Sequence, residues 1–185
     1  MSPLVLASKS PYRAALLKRW KLEFTQESSD VDESEYKKKG LSPINLVKEL
    51  SLAKARKLQS KHPKSLIIGS DQVLVCEDKI YGKAGSKTKA LEQLMKLSGK
   101  EQQLITGFAV IKGSEQISDV DISKIKFRNY STEEALKCLE IDEPWDCAGS
   151  IKIEGSATWL IESLVTEDPS AIEGLPLIKV GKVLR

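Results

Sequence analysis

The sequence predicts an α/β fold: one domain, divisible into two lobes, with a mixed β-sheet flanked by helices. Three observations carry this. Short apolar runs of strand character (Leu4–Ala7, Leu66–Ile68, Val73–Val75, Gln103–Ile111) alternate with segments of helical periodicity. Several helical segments open with capping chemistry: Ser10-Pro11, Ser42-Pro43, and Ser131 with Glu134 three residues on. No repeat, low-complexity tract or linker interrupts the alternation over 185 residues, and a hydrophobic content of 41% suffices for a sizeable core.

Taken in order, Leu4–Ala7 reads as a short buried strand. Ser10 and Pro11 then open a helix with Leu16, Leu17 and Trp20 on its apolar face. A strand, a Ser-rich turn and a helix N-terminus make a site where backbone N–H groups can receive phosphate. Arg13 in the first helical turn is out of place unless an anion sits there, because cations are disfavoured at that end of the helix dipole. A second strand is expected over Leu22–Thr25. The acidic run Ser29–Glu35 and the Lys37-Lys38-Lys39-Gly40 loop follow, mostly as solvated charges, with one or two carboxylates able to reach a metal. From Ser42-Pro43 a long helix buries Leu46, Val47, Leu50, Ala53 and Leu58. Lys54, four residues from both Leu50 and Leu58, projects from the apolar side, either snorkelling or aimed into a cleft.

The central stretch Ser65–Val75 has apolar residues on both sides of Gly69-Ser70-Asp71-Gln72. An ionised carboxylate in such a run is costly unless a cation or metal compensates it, so Asp71 either faces a polar cleft or pairs with a base. A β-turn at Gly69–Asp71, with Asp71 capping its own backbone, accounts for the residues equally well. Beyond it come Lys79–Ala84, a helix bearing Ala90, Leu91, Leu94, Met95 and Leu97 and stopped at Ser98-Gly99, and a strand over Gln103–Ile111 broken at Thr106-Gly107. A hairpin turn is expected at Lys112–Ser114, a strand over Ser123–Phe127 and a short helix after Ser131. Glu143–Ser150 is irregular, Ala157–Val165 reads as a last strand, and Gly174-Leu175-Pro176 opens a closing helix.

Composition narrows the chemistry. A net charge of +3 without a polybasic block argues against a nucleic-acid polymer as partner but not against a small anionic ligand. No apolar run reaches the length of a membrane span, and the N-terminus lacks a signal-peptide layout. The three cysteines, Cys76, Cys138 and Cys147, form no Cys-x-x-Cys pair, which points to a reducing, cytoplasmic setting. The single histidine, His62, sits in the polar stop Lys61-His62-Pro63-Lys64 and reads as a surface turn residue. Acid–base work therefore falls to carboxylates, lysines or tyrosines, and any metal would be a hard, oxygen-bound ion such as magnesium or manganese.

Leu6–Arg13, Val31-Asp32-Glu33, Ala53-Lys54-Ala55, Gly69–Val73, Gly82-Lys83, Leu97-Ser98-Gly99, Thr106-Gly107, Ala148-Gly149-Ser150, Ile153-Glu154-Gly155 and Gly174-Leu175-Pro176 together resemble the Maf family of nucleotide pyrophosphatases, in order and over nearly the whole chain. Asp71-Gln72, Cys147–Ser150 and Glu154-Gly155 resemble the branch acting on 7-methyl-GTP rather than the dTTP/UTP branch. The resemblance implies a single Maf/ITPase-like domain over residues 1–185, with a cleft between two lobes. It also implies hydrolysis of the α–β bond of a nucleoside triphosphate with a divalent metal, Mg2+ or Mn2+, in a cytoplasmic homodimer that clears modified nucleotides.

By matching position, Arg13, Lys54 and Lys83 are the phosphate clamp, with Ser8 and Ser10 as hydroxyl donors. Glu33 is a metal ligand, and Asp71 is the proton acceptor or holds the metal. Tyr12, Gln72 and Glu154 are specificity positions. A carboxylate such as Glu154 suits the N1–H and N2–H donors of 7-methylguanine, and Tyr12 suits stacking on its positive ring; Trp145 is a rival stacker or a core residue. The chain departs from the family pattern at Ala84, where proline is frequent, and at Ala14, where many members carry a second arginine. Pyrimidine or damaged nucleotides as substrates, and a nucleotide-binding regulator of septum formation, are the alternatives.

Overall fold

The computed structural model describes residues 3–185. The described residues form seven strands and six α-helices, in the order β1 (Leu4–Ala7), α1 (Pro11–Lys18), β2 (Phe24–Glu27), α2 (Glu33–Lys37), α3 (Pro43–Gln59), β3 (Leu66–Cys76), β4 (Lys79–Tyr81), α4 (Lys87–Leu97), β5 (Glu101–Lys112), β6 (Glu115–Phe127), α5 (Thr132–Asp142), β7 (Ile161–Val165) and α6 (Leu177–Leu184). Two 3-10 turns, Ser156–Leu160 and Pro169–Glu173, flank β7. The strand order is β2-β1-β3-β5-β6-β7, with β4 on β3. β1 pairs in parallel with β2 and β3, whereas β3–β4 and β6–β7 are antiparallel, so the sheet is mixed as expected.

The chain divides into two compact units. The first holds the chain up to Gln72 with Thr106–Asp121 and Asp168–Arg185; the second holds Val73–Ile105 and Ile122–Glu167. In the first unit the period-2 alternation of strands sorts the core into two layers. Leu6, Ile68, Phe108 and Val110 pack with Leu16 and Leu17 of α1 and Val180 of α6. Val5, Ala7, Ile67, Ala109 and Ile111 pack with Ala55 and Leu58 of α3. Helix α3 lies so close to the strands that a Cβ on Gly69 would stand 2.1 Å from the Ser51 carbonyl oxygen, and one on Gly107 2.6 Å from that of Val47. The glycines in these strands therefore mark a close helix approach, not breaks.

That contact corrects two expectations. β3 runs unbroken through Gly69–Gln72 and β5 through Thr106-Gly107, because the polar side chains there find partners on either side of the sheet: Asp71 on Lys54, and Ser70 on the carbonyls of Gly107 and Gly174. The second strand lies at Phe24–Glu27 rather than Leu22–Thr25, placed by pairing Leu4 with Phe24. The acidic run is partly helical: Asp32 caps α2 by accepting from the Ser34 N–H at 2.9 Å. His62 is not a plain surface residue, since its Nε2 lies 3.0 Å from Glu27 Oε2 at the end of β2.

In the second unit, α4 buries Ala90, Leu94 and Leu97, and the Phe127 and Tyr130 rings meet edge-on at 5.7 Å. Helix α5 opens with the expected capping box between Ser131 and Glu134. β6 is longer than its Ser123–Phe127 reading. Residues 157–160 are a 3-10 turn rather than strand: Ala157 and Leu160, three apart, are buried while Trp159 is 77% exposed. The three cysteines are unpaired, as expected, and burial pushes the Cys147 thiol up to about 12, which keeps it protonated.

Candidate active site

The candidate site of the first unit begins where β1 stops. In register with β3, Leu6 stands opposite Ile68, so β3 continues past the end of β1 and leaves its next backbone groups to side chains. The turn Ser8–Ser10 fills that end. Gln26 of β2 clamps it, its amide donating to the Ser8 and Ser10 carbonyls at 2.9 and 3.0 Å. The Ser10 hydroxyl caps α1 by accepting from the Arg13 N–H at 3.4 Å. The Ser8 hydroxyl accepts from the Ser10 N–H at 3.2 Å and from Arg13 Nη1 at 3.3 Å. Both hydroxyls accept from the protein, and among the described residues neither donates, which leaves their protons for a further acceptor.

Arg13 is fixed from two more sides. Its Nε donates to the Gly174 carbonyl at 2.8 Å and its Nη1 to the Ser70 carbonyl at 2.8 Å. Among the described residues its Nη2 has no acceptor. Burial pulls the guanidinium below its ordinary range, while Asp71 and Glu33 pull it back up; it is charged at any working pH. A cation at this helix N-terminus, with donors left open, suits a bound anion.

Lys54 is the hub of the charges. It is buried on α3, and its ammonium lies 2.6 Å from Asp71 Oδ1 and 2.8 Å from Glu33 Oε1. Lys54 does not snorkel to solvent: its ammonium is turned inward against Asp71 and Glu33. Burial works to raise the Glu33 carboxyl, but Lys54 and Lys37 outweigh it and hold the group below its ordinary range. Among the described residues Asp71 Oδ2 has no hydrogen-bond partner, which leaves it open to a proton or a cation. No third His, Cys, Asp or Glu joins Glu33 and Asp71 in a metal-holding group among the described residues.

Tyr12, half-buried, is the second residue of α1. Gln72 lies on the strand beside Asp71, and its amide donates to Thr106 Oγ1 at 2.8 Å and to the Ala171 carbonyl at 2.9 Å. The first unit thus joins Ser8, Ser10, Arg13, Glu33, Lys54 and Asp71 through hydrogen bonds and charge. Lys83 and Glu154 belong to the second unit, where both are exposed and the Lys83 backbone bridges to Ala148. Of the two departures, Ala14 is buried in the layer beneath α1, and Ala84 is also buried. Sequence reasoning assigned no role to Gln26, Ser70, Thr106 or the Gly174 carbonyl. Ser70, Thr106 and Gly174 lay inside recognised stretches, but nothing in their spelling separates a ligand-facing group from a structural one.

The family model for Maf-like proteins matches residues 3–185. The chain belongs to the Maf family. Among similar proteins, this Maf chain is 38% identical over 181 residues to the 7-methyl-GTP pyrophosphatase of Bdellovibrio bacteriovorus, covering 98% of this chain and 95% of the relative. It is 41% identical to the 7-methyl-GTP pyrophosphatase of Pseudomonas fluorescens, covering 100% and 96%. Its fold is similar to that of a HAM1 protein from Coxiella burnetii, with a TM-score of 0.55 at 12% identity, covering 100% of this chain and 98% of that one. The Maf fold here is therefore of the HAM1 kind.

Proposed function

We propose that this Maf protein hydrolyses the α–β anhydride of 7-methyl-GTP, giving 7-methyl-GMP and diphosphate. The observation that carries the reaction is the Lys54 ammonium shared by Asp71 and Glu33, next to the half-used guanidinium of Arg13. Attack at a phosphate needs positive charge placed in advance around the transferring group and an acceptor for the proton of water. In this reading the Arg13 Nη2 donors and the Ser8 and Ser10 hydroxyls bind phosphate oxygens, with Lys83 a further clamp. Asp71 Oδ2 takes the proton from the attacking water, while Lys54 orients the carboxylate through Oδ1.

Glu33 and Asp71 are hard oxygen donors that already converge on one cation, so they fit a divalent metal. Magnesium is commonly held by one or two carboxylates, with waters and substrate phosphates completing its shell. Bound there, Mg2+ or Mn2+ would neutralise phosphate charge and acidify water.

The names of the relatives support 7-methyl-GTP as substrate. The exposed carboxylate of Glu154 is assigned to the guanine N1–H and N2–H, with Tyr12 and Gln72 as further specificity positions. The same reading makes the protein a cytoplasmic homodimer. The test is diphosphate release with magnesium or manganese from 7-methyl-GTP, GTP, dTTP, UTP and CTP in parallel. A preference for 7-methyl-GTP that disappears in Glu154→Gln is expected. Preference for a pyrimidine nucleotide overturns the specificity assignment.

A further inference from the structure

The geometry points to Ser70 and Thr106 as positioning residues for Arg13, acting through the Pro169–Gly174 segment; this rests on the reading that Arg13 binds the substrate phosphates. A guanidinium has five N–H donors. Nε is committed to the Gly174 carbonyl at 2.8 Å, and Nη1 to the Ser70 carbonyl at 2.8 Å and the Ser8 hydroxyl at 3.3 Å. Because the group is planar, those anchors fix the direction in which the Nη2 pair is presented.

The two carbonyl anchors differ in how they are held. Ser70 lies inside β3, so the extended strand backbone sets where its carbonyl points. Gly174 lies outside any strand or helix, just after the 3-10 turn Pro169–Glu173, so other groups must hold its carbonyl in place. The Ser70 hydroxyl, fully buried, lies 2.7 Å from it and 2.8 Å from the Gly107 carbonyl, so its one proton is shared between the two acceptors. Three residues upstream, Thr106 Oγ1 donates to the Ala171 carbonyl at 2.9 Å while accepting from Gln72 Nε2 at 2.8 Å. Both hydroxyls lie on buried strand positions and both act on the segment that carries the arginine's anchor. Gly174 has φ +104°, and a Cβ there would stand 3.2 Å from Arg13 Nε, so only glycine gives the carbonyl this close seat against the guanidinium.

The experiment follows the Arg13 Nε–Hε resonance of the isotopically labelled full chain, identified by its loss in Arg13→Ala, together with kcat/KM on 7-methyl-GTP. The variants are Ser70→Ala, Thr106→Val and Thr106→Ser, each in the wild-type and Arg13→Ala backgrounds. A slowly exchanging wild-type signal is expected. In Ser70→Ala and Thr106→Val the signal should shift and exchange faster, and kcat/KM should fall about tenfold, the equivalent of one hydrogen bond. Thr106→Ser, which keeps the hydroxyl, should restore both readouts. In the Arg13→Ala background the two losses should vanish, because they act through that guanidinium. An unchanged Nε–Hε signal, or an equal loss of kcat/KM with Arg13 already removed, overturns the proposal. If wild-type protein releases no diphosphate while the Nε–Hε signal responds as expected, the positioning stands and the substrate reading falls.

Discussion

At the scale of single residues, the decisive group is Lys54, whose ammonium compensates a carboxylate that would otherwise be buried alone. The Asp71 side chain is 11% exposed, whereas the Glu33 side chain is 41% exposed. Removing the shared cation should therefore cost much more than removing the outer carboxylate. Lys54→Ala is expected to lose about 3 kcal/mol by leaving Asp71 unpaired, and Glu33→Gln less than about 1 kcal/mol because water already screens that pair; urea unfolding of the two variants checks the ratio. Both members of the buried pair were visible in the sequence as misfits, a carboxylate inside an apolar run and a lysine on an apolar helix face. Ser70 and Thr106 were not. A buried hydroxyl satisfied by carbonyls distant in sequence is spelled like a turn or a strand break, and only the tertiary partners tell these apart.

At the scale of elements, the fold depends on how closely α3 lies on β3 and β5. Gly69→Ala would drive a methyl into the Ser51 carbonyl, with backbone rather than a flexible side chain on the receiving side. A loss of about 3 kcal/mol or more is expected, read as a lower denaturant midpoint. Gly82→Ala, whose added Cβ meets nothing within 4 Å, should stay within about 0.5 kcal/mol of wild type. Helix starts were readable because Ser-Pro pairs and the Ser131–Glu134 box act locally. The strands β3 and β5 were read as interrupted because glycine weakens a strand by propensity, and close helix packing overrides propensity here. The 3-10 turn at Ser156–Leu160 was missed for a similar reason: the Asp142 carboxylate accepts from the Ser156 N–H at 2.7 Å, a partner that sequence periodicity does not register.

At the scale of the molecule, acid sensitivity follows from carboxylates held below their ordinary range. Glu33 is one, and Glu134, hydrogen-bonded by Arg128 and the Ser131 backbone, is held at about 2. A depressed folded-state value means the stabilisation is fully present above the unfolded carboxyl value of 4.5 and is lost as pH falls through the folded one. Stability should thus be flat near neutrality and decline from about pH 4.5 toward pH 2, measured as the thermal midpoint across that range. The α/β class and the order of recognised stretches were readable because alternation and motif spacing run along the chain. The hydrogen bonds from Arg13 and Gln72 to residues 171–174, about a hundred or more positions away, were not. The most direct test of the central claim is to identify the products formed from 7-methyl-GTP by wild-type protein and by Asp71→Asn. The account predicts 7-methyl-GMP and diphosphate from wild type, and loss of most turnover in a variant that stays folded. Release of orthophosphate with 7-methyl-GDP, or near-normal turnover in Asp71→Asn, would contradict it.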